Sequence, residues 1–419
     1  MPALLSTRAR TRASTQCAPA NENSDRKSTF GAPKPFHFYL VEKLSNFYLF
    51  NLMAVASWKL FVGRFTEFQT PHTTAKHRET GNHPRSAAFR SNASETLLHA
   101  RKRVLMTLMK TNLHIKTPLI ESLPLSRLLN CRVWLKIEAV QPSGSFKTRG
   151  IGYACQEYVN RGAKRLLASS GGNAGLAVAY CGHQLGVDVT VIVPKSTTER
   201  AKELITQEAA QVIVHGTSWD EAHAYALGLC TSETAYIHPF DDPLIWTGHA
   251  TLIDEVYEAG LSPSLVVLSV GGGGLLCGVV EGMRRNNMGN VPILAAETRG
   301  AESLFLSVQR ARLSELDTIT SIATTLGAKR VAQRAFEYTK EHEVCPVVVE
   351  DPNAVEACLK LARDHRLIVE PACGAALAPL YGKYPEATSR KDLDDVLVIV
   401  CGGAGITIEN LLHWNEHLK

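Results

Sequence analysis

The chain has no C-x-x-C pair among its ten cysteines and no framework spacing between them. That argues against structural zinc and a disulfide scaffold, and reads as reduced thiols inside a cell, with a cytoplasmic location expected. Long apolar runs are missing too. Residues 44–57 come closest, but Ser45, Asn46 and Asn51 interrupt them, and a membrane-spanning helix needs about 20 apolar residues. No G-x-x-x-x-G-K-[ST] segment occurs, nor a G-x-G-x-x-G fingerprint with a following acid, so neither nucleotide-binding signature applies. Charge of one sign is scarce: 45 Lys and Arg face 40 Asp and Glu, a net charge of +5. Much of that excess lies in the first hundred residues, so the body shows no basic face for nucleic acid.

What is present divides by texture. Residues 1–105 are irregular and expected to be disordered. Within them residues 1–20 carry Arg8, Arg10 and Arg12 with several hydroxyl residues and no acid, so a mitochondrial presequence is the alternative to a cytoplasmic location. From Met106 onward strand and helix signals alternate, which predicts an α/β fold with parallel sheets. A length of 419 residues and 45% hydrophobic content are enough for sizeable cores.

Four segments carry chemistry. VWLKIE (133–138) reads as a strand, PSG (142–144) breaks it, and Ile151, Ala154, Cys155 and Tyr158 then share one face of a predicted helix over 147–160. Lys147 therefore stands at a loop-to-helix junction, either as a solvated surface lysine or as an amine kept partly neutral by the helix dipole and poor hydration, ready to attack an aldehyde. LLASSGGNAG (166–175) runs from a strand through a small-residue turn into a helix over 176–184. It is either a tight turn or an anion site for a carboxylate, where Ser169, Ser170 and Asn173 add donors to that carboxylate or to a cofactor oxygen. LVVLSVGGGGL (265–275) puts four glycines after a buried strand, a costly arrangement for mere chain reversal but one that exposes several NH groups to an oxyanion such as phosphate. DVLVIVCGGAG (395–405) delivers Cys401 at a strand end, as a small buried thiol or as a ligand-facing one.

Together these segments resemble the fold type II pyridoxal-phosphate enzymes, within them most closely the L-serine dehydratases and their dehydratase-like paralogues. The resemblance runs from about Lys116 to the C-terminus. PSGSFKTRG is similar to that family's cofactor-lysine motif, SSGGNAG to its substrate-carboxylate loop, GGGG to its phosphate loop and CGGAG to the segment beneath the pyridine nitrogen. HPFDDPLIWTGHA (238–250) and EPACGAAL (370–377) also match.

The resemblance implies that Lys147 carries the cofactor as a Schiff base, with Phe146 packed on the ring and Asn173 bonding its 3-hydroxyl. It implies that Gly271, Gly272, Gly273, Gly274 and Leu275 hold the phosphate through backbone NH groups, and that Ser170, Gly171, Gly172, Asn173 and Ala174 face the substrate carboxylate. Cys401 would lie against the ring nitrogen, where a thiol is a weaker partner than a carboxylate and suits elimination. A monovalent cation, potassium by the hardness of its oxygen ligands, would be held by Glu297, Ala301, Ser303, Leu326 and Ala328. The implied reaction is α,β-elimination of L-serine or L-threonine, to pyruvate or 2-oxobutanoate plus ammonia, with Lys147 removing the α proton and the cofactor phosphate protonating the leaving hydroxyl.

Gly171 stands where racemases of this fold carry a serine. Dehydration without racemisation is thus expected, and the small residue is expected to leave more room for the substrate. Arg299 replaces a residue often apolar in relatives, which bears on the contact of an expected homodimer. The architecture expected is two αβα domains with the cofactor between them: residues 106–140 and 243–419 as the large one, 141–242 as the small one, closing on the substrate. No amino-acid-sensing domain is expected after Lys419, which favours a degradative role. The alternatives are a β-replacement enzyme of cysteine-synthase type, a non-catalytic cofactor-binding relative, and a cofactor-free interaction module.

Overall fold

The computed structural model describes residues 112–382, 384 and 393–418; the readings of residues 1–105 lie outside this range. The strands whose sequences are nearly unbroken apolar runs form the centre of a sheet. β7 (Leu265–Ser269), β8 (Ile293–Thr298) and β10 (Asp395–Val400) are buried at every residue, as parallel strands covered on both faces must be. They join β1 (Leu119–Glu121), β2 (Arg132–Ile137) and β9 (Val344–Val349) in the order β1-β2-β10-β7-β8-β9. β1 is antiparallel to β2, and every other pair is parallel.

A second sheet of four parallel strands has the order β5-β4-β3-β6. It is built from β3 (Arg165–Ala168), β4 (Asp188–Val193), β5 (Gln211–Val214) and β6 (Thr234–Tyr236). All its residues fall between 141 and 242, the segment expected to form the smaller domain.

The helices are α1 (Leu123–Leu129), α2 (Lys147–Asn160), α3 (Asn173–Leu185), α4 (Glu199–Gln207), α5 (Trp219–Gly228) and α6 (Pro243–Glu258). After them come α7 (Gly274–Arg285), α8 (Ser303–Gln309), α9 (Gln333–Glu341), α10 (Asp351–His365), α11 (Pro371–Tyr381) and α12 (Ile408–His417). α6 starts where the DDP run dictates: Asp242 caps it by accepting from Leu244 N at 2.8 Å, and Pro243 supplies the first turn, which needs no NH. α6 and α7 cross closely because of two glycines. A Cβ on Gly278 would lie 2.4 Å from the His249 Cβ, and one on Gly282 would lie 2.8 Å from Ala250 O.

A buried charge cluster ties α2 and α6 to β2. Arg149 is fully buried and donates from Nε to Glu138 Oε2 at 2.7 Å and from Nη1 to Glu255 Oε1 at 2.7 Å. Lys136 Nζ meets Glu255 Oε2 at 2.5 Å. Burial works against the Arg149 charge, but its bonds to Glu255 and Glu138 outweigh that and hold the guanidinium pKa above its ordinary value. The cluster fixes the first turn of α2 two residues beyond Lys147. Removing one partner of such a group leaves a buried charge unpaired, which costs about 3–5 kcal/mol.

Arg299 is exposed and pairs with Glu302 and Glu350 on its own chain. Among the described residues no helix is long and apolar enough to cross a membrane.

Candidate active site

Four of the segments singled out in the sequence emerge at the carboxyl ends of strands, where open α/β sheets bind ligands. Ser169 follows β3, Val270 follows β7, Cys401 follows β10, and the stretch after β2 leads into α2.

Lys147 is the first residue of α2, as the spacing predicted. It is half-buried, and its Nζ donates to Pro239 O at 2.6 Å while lying 5.2 Å from the Phe146 ring centroid. Burial lowers its pKa to about 8, against the opposing pull of Cys401 and Glu370. The amine is thus partly neutral near physiological pH. Phe146 also packs against His249, ring centroids 4.9 Å apart, and His249 Nδ1 accepts from Gly150 N at 3.2 Å.

α3 begins at Asn173, three residues earlier than the predicted 176, with Gly172 as its cap and no side-chain capping bond. Both polar atoms of Asn173 are engaged. Its Nδ2 donates to Glu370 Oε1 at 2.5 Å, and its Oδ1 accepts from Ala404 N at 3.2 Å. Thr325 Oγ1 donates to the same Glu370 oxygen at 2.6 Å. Burial raises the Glu370 pKa to about 7, with the bonds from Thr325 and Asn173 and the Lys147 charge pulling the other way. A small cavity of about 30 Å³ opens against Gly171, Gly172, Asn173, Thr325 and Glu370.

Two readings of this loop change. Ser169 does not offer its hydroxyl to the cleft: it is fully buried, with Oγ 2.6 Å from Tyr236 Oη. Gly171 leaves no extra room either, because Thr197 fills it. A Cβ there would lie 2.5 Å from Thr197 Oγ1 and 2.6 Å from its Cγ2. Ser170 Oγ accepts from Gly172 N at 3.3 Å, and Ala174 is buried in the first turn of α3.

The glycine loop Gly271, Gly272, Gly273, Gly274, Leu275 runs into the first turn of α7, with Gly273 as its cap at φ +88°. Among the described residues no hydrogen bond takes up any of these five amides. They form an unsatisfied donor set at a helix N-terminus, which fits a phosphate. Cys401 is buried with its Sγ 3.5 Å from Ser269 Oγ. Contact with Cys373 is the main cause holding the Cys401 thiol pKa below its usual value.

Glu297 is fully buried near the end of β8 and accepts from Leu304 N at 2.8 Å and Phe305 N at 2.7 Å. Burial raises its pKa to about 8. Among the described residues no cationic side chain pairs with it, and the buried Ser303 Oγ has no partner. Ala301 is buried two residues before, and the Leu326 carbonyl, which packs on Gly271, already accepts from Ala328 N at 2.7 Å.

The sequence marked no role for Glu370, Thr325, Pro239 or Ser269. Glu370 had one signal, an acid directly before the Pro371 that opens an apolar helix; Ser269 had another, the one polar residue in the β7 run.

Residues 110–402 match the family described as Pyridoxal-phosphate dependent enzyme. The chain is 42% identical to the L-serine dehydratase of Dictyostelium discoideum, over 74% of this chain and 93% of that protein. It is 47% identical to a serine dehydratase-like protein of Rattus norvegicus, over 73% and 95%. Among solved structures it resembles a fungal L-serine ammonia-lyase from Rhizomucor miehei, with a TM-score of 0.69 and 35% identity, covering 73% of this chain and 98% of that one. The unpaired amides of the glycine loop, the half-buried Lys147 and these matches converge: the chain belongs to the pyridoxal-phosphate dependent enzymes, with the fold type II architecture of parallel αβα layers.

Proposed function

We propose that this chain is a pyridoxal-phosphate-dependent ammonia-lyase that converts L-serine to pyruvate and L-threonine to 2-oxobutanoate, releasing ammonia. The observation that carries this reading is Lys147, an amine with its pKa lowered to about 8, set between Phe146 and the Pro239 carbonyl. The serine dehydratase relatives and the fungal ammonia-lyase support the substrate class.

Pyridoxal phosphate, when bound, supplies the aldehyde that captures the substrate amine and the ring that spreads the charge left by the departing α proton. Lys147 would hold it covalently, the amides of residues 271–275 would hold its phosphate, and Cys401 would face its ring nitrogen. This chain's residues then do the rest. Lys147 Nζ takes the α proton, as its lowered pKa equips it to do. Asn173, locked by Glu370 and Ala404, keeps one amide orientation toward the cleft. Ser170 and the loop ahead of α3 receive the substrate carboxylate at a helix N-terminus. Loss of the β-hydroxyl as water leaves 2-aminoacrylate, which hydrolyses to pyruvate and ammonia. Gly171 offers no acid to the opposite face, so D-serine is not formed.

The same reading includes a potassium ion at Glu297, Ala301, Ser303, Leu326 and Ala328, for which the unpaired Ser303 hydroxyl and the uncompensated Glu297 carboxylate speak. It also includes a cytoplasmic homodimer in which residues 141–242 close over the substrate; light scattering and cell fractionation test those two points. For the reaction itself, cofactor-loaded protein is assayed with L-serine for pyruvate and with L-threonine for 2-oxobutanoate, in wild type and Lys147→Ala. Pyruvate from wild type alone is the expected result. Cysteine from O-acetylserine and sulfide, without pyruvate, would replace this reading with a β-replacement one.

A further inference from the structure

The side chain at the root of the carboxylate loop belongs to a hydrogen-bonded chain that leads away from the cleft. Ser169 Oγ lies 2.6 Å from Tyr236 Oη, which lies 2.7 Å from His223 Nδ1. Tyr236 is on β6, opposite Leu167 in the register of β3, and is half-buried. His223 is on α5, stacked on Trp219 with ring centroids 4.7 Å apart and planes 7° apart. Neither Tyr236 nor His223 lines the cavity beside Asn173.

A phenol has one proton, so Tyr236 donates to one neighbour and accepts from the other. When His223 is neutral with a bare Nδ1, the order runs from Ser169 to Tyr236 to His223, and each proton has an acceptor. This pins the residue immediately before Ser170, whose own hydroxyl accepts from Gly172 N. The loop's entry point is thereby set by two residues outside the cleft.

We propose that Tyr236, oriented by His223, is a positioning residue for the loop of residues 170–174, and so for binding of a ligand carboxylate. The identity of that ligand as an amino acid rests on the ammonia-lyase reading above; the role of the pair in holding the loop does not. Protonation of His223 at Nδ1 reverses the chain. His223 then donates to Tyr236, Tyr236 donates to Ser169, and the Ser169 proton loses its acceptor. The groups that face this pair set where reversal occurs: burial opposes a charge on His223 and Asp220 on its own helix favours it. His238 stands 6.0 Å from His223 by ring centroids, and Cys230 bears on Tyr236. Burial prevails, so reversal falls below the ordinary imidazole range.

Tyr236→Phe in the cofactor-loaded protein tests this, with two probes: L-serine turnover, and titration with L-alanine, which has the carboxylate and amine but no leaving group, followed by cofactor absorbance. The L-serine KM and the L-alanine dissociation constant are expected to rise together by about tenfold, the range for loss of a buried hydrogen bond. kcat is expected to stay within about twofold, and a rise of KM on acidification, expected in wild type, to be absent from the variant. His223→Phe, a second variant, loses the same acid limb. Unchanged L-alanine binding in Tyr236→Phe, an acid limb that persists in both variants, or a fall in kcat and cofactor loading in step with KM would each overturn the proposal. If wild type makes no pyruvate, the ammonia-lyase reading falls, while L-alanine titration still decides the role of Tyr236.

Discussion

Asn173 and Glu370 are joined directly: the Asn173 amide donates to Glu370 Oε1 at 2.5 Å, in a spot where Glu370 is only 4% exposed. The carboxylate is one that burial makes reluctant to ionise, and the two donors from Asn173 and Thr325 only partly repair this. Its side chain also lies where a Cβ on Gly403 would go, 2.1 Å from Glu370 Cδ, at φ +120°. Glycine there gives Glu370 its place.

The Glu370 pKa of about 7 has a signed consequence for stability. Between the unfolded carboxyl pKa and 7 the folded chain binds a proton that the unfolded chain does not, so this group's contribution to stability falls as pH rises through that window and levels off above it. Glu370→Gln removes this group's share of the slope and leaves that of Glu297, whose pKa is also raised. Thermal unfolding of cofactor-free protein between pH 5 and 7.5 is expected to show a stability drop that is smaller in the variant than in wild type, by of order 2–3 kcal/mol at most for a shift of this size.

Glu297 predicts a cation effect. A buried carboxylate with its pKa raised to about 8 and no cationic partner among the described residues gains most from a bound ion. Replacing potassium by tetramethylammonium at constant ionic strength is expected to lower Tm by several degrees, and Glu297→Gln to abolish that difference. Equal Tm in both salts would remove the ion from the account.

Thr197 makes Gly171 a packing position as well as a chemical one. Gly171→Ala forces the new methyl to within 2.5 Å of Thr197 Oγ1, and is expected to cost about 1–3 kcal/mol by overpacking. Gly171→Ala with Thr197→Ser, which deletes the Cγ2 methyl, is expected to recover part of that loss, a non-additivity that urea unfolding of the four chains would measure. Chiral analysis of wild-type reactions is expected to find pyruvate without comparable D-serine.

The sequence made visible those parts of the site that lie within one strand-loop-helix unit. The α2 face was readable from Ile151, Ala154 and Cys155, and the buried sheet centre from the apolar runs of β7, β8 and β10. The start of α3 was misplaced because Gly172 gives no side-chain capping signal. Ser169 was read as a donor to the cleft because nothing local marks Tyr236, 67 positions away, as its partner. Glu370 stands 197 positions from Asn173 and Pro239 stands 92 from Lys147. Such pairings arise only when parallel strands bring their carboxyl ends together. Gly171 looked roomy for the same reason: the residue that fills the space comes from the loop after β4.

One amine, Lys147 Nζ, is the expected attachment point of the cofactor. Borohydride reduction of the cofactor-loaded protein followed by peptide mapping tests it most directly. A reduced pyridoxyl group is expected on the peptide containing Lys147 and none in Lys147→Ala; a label on another lysine, or no label in wild type, would show that the cofactor is held elsewhere.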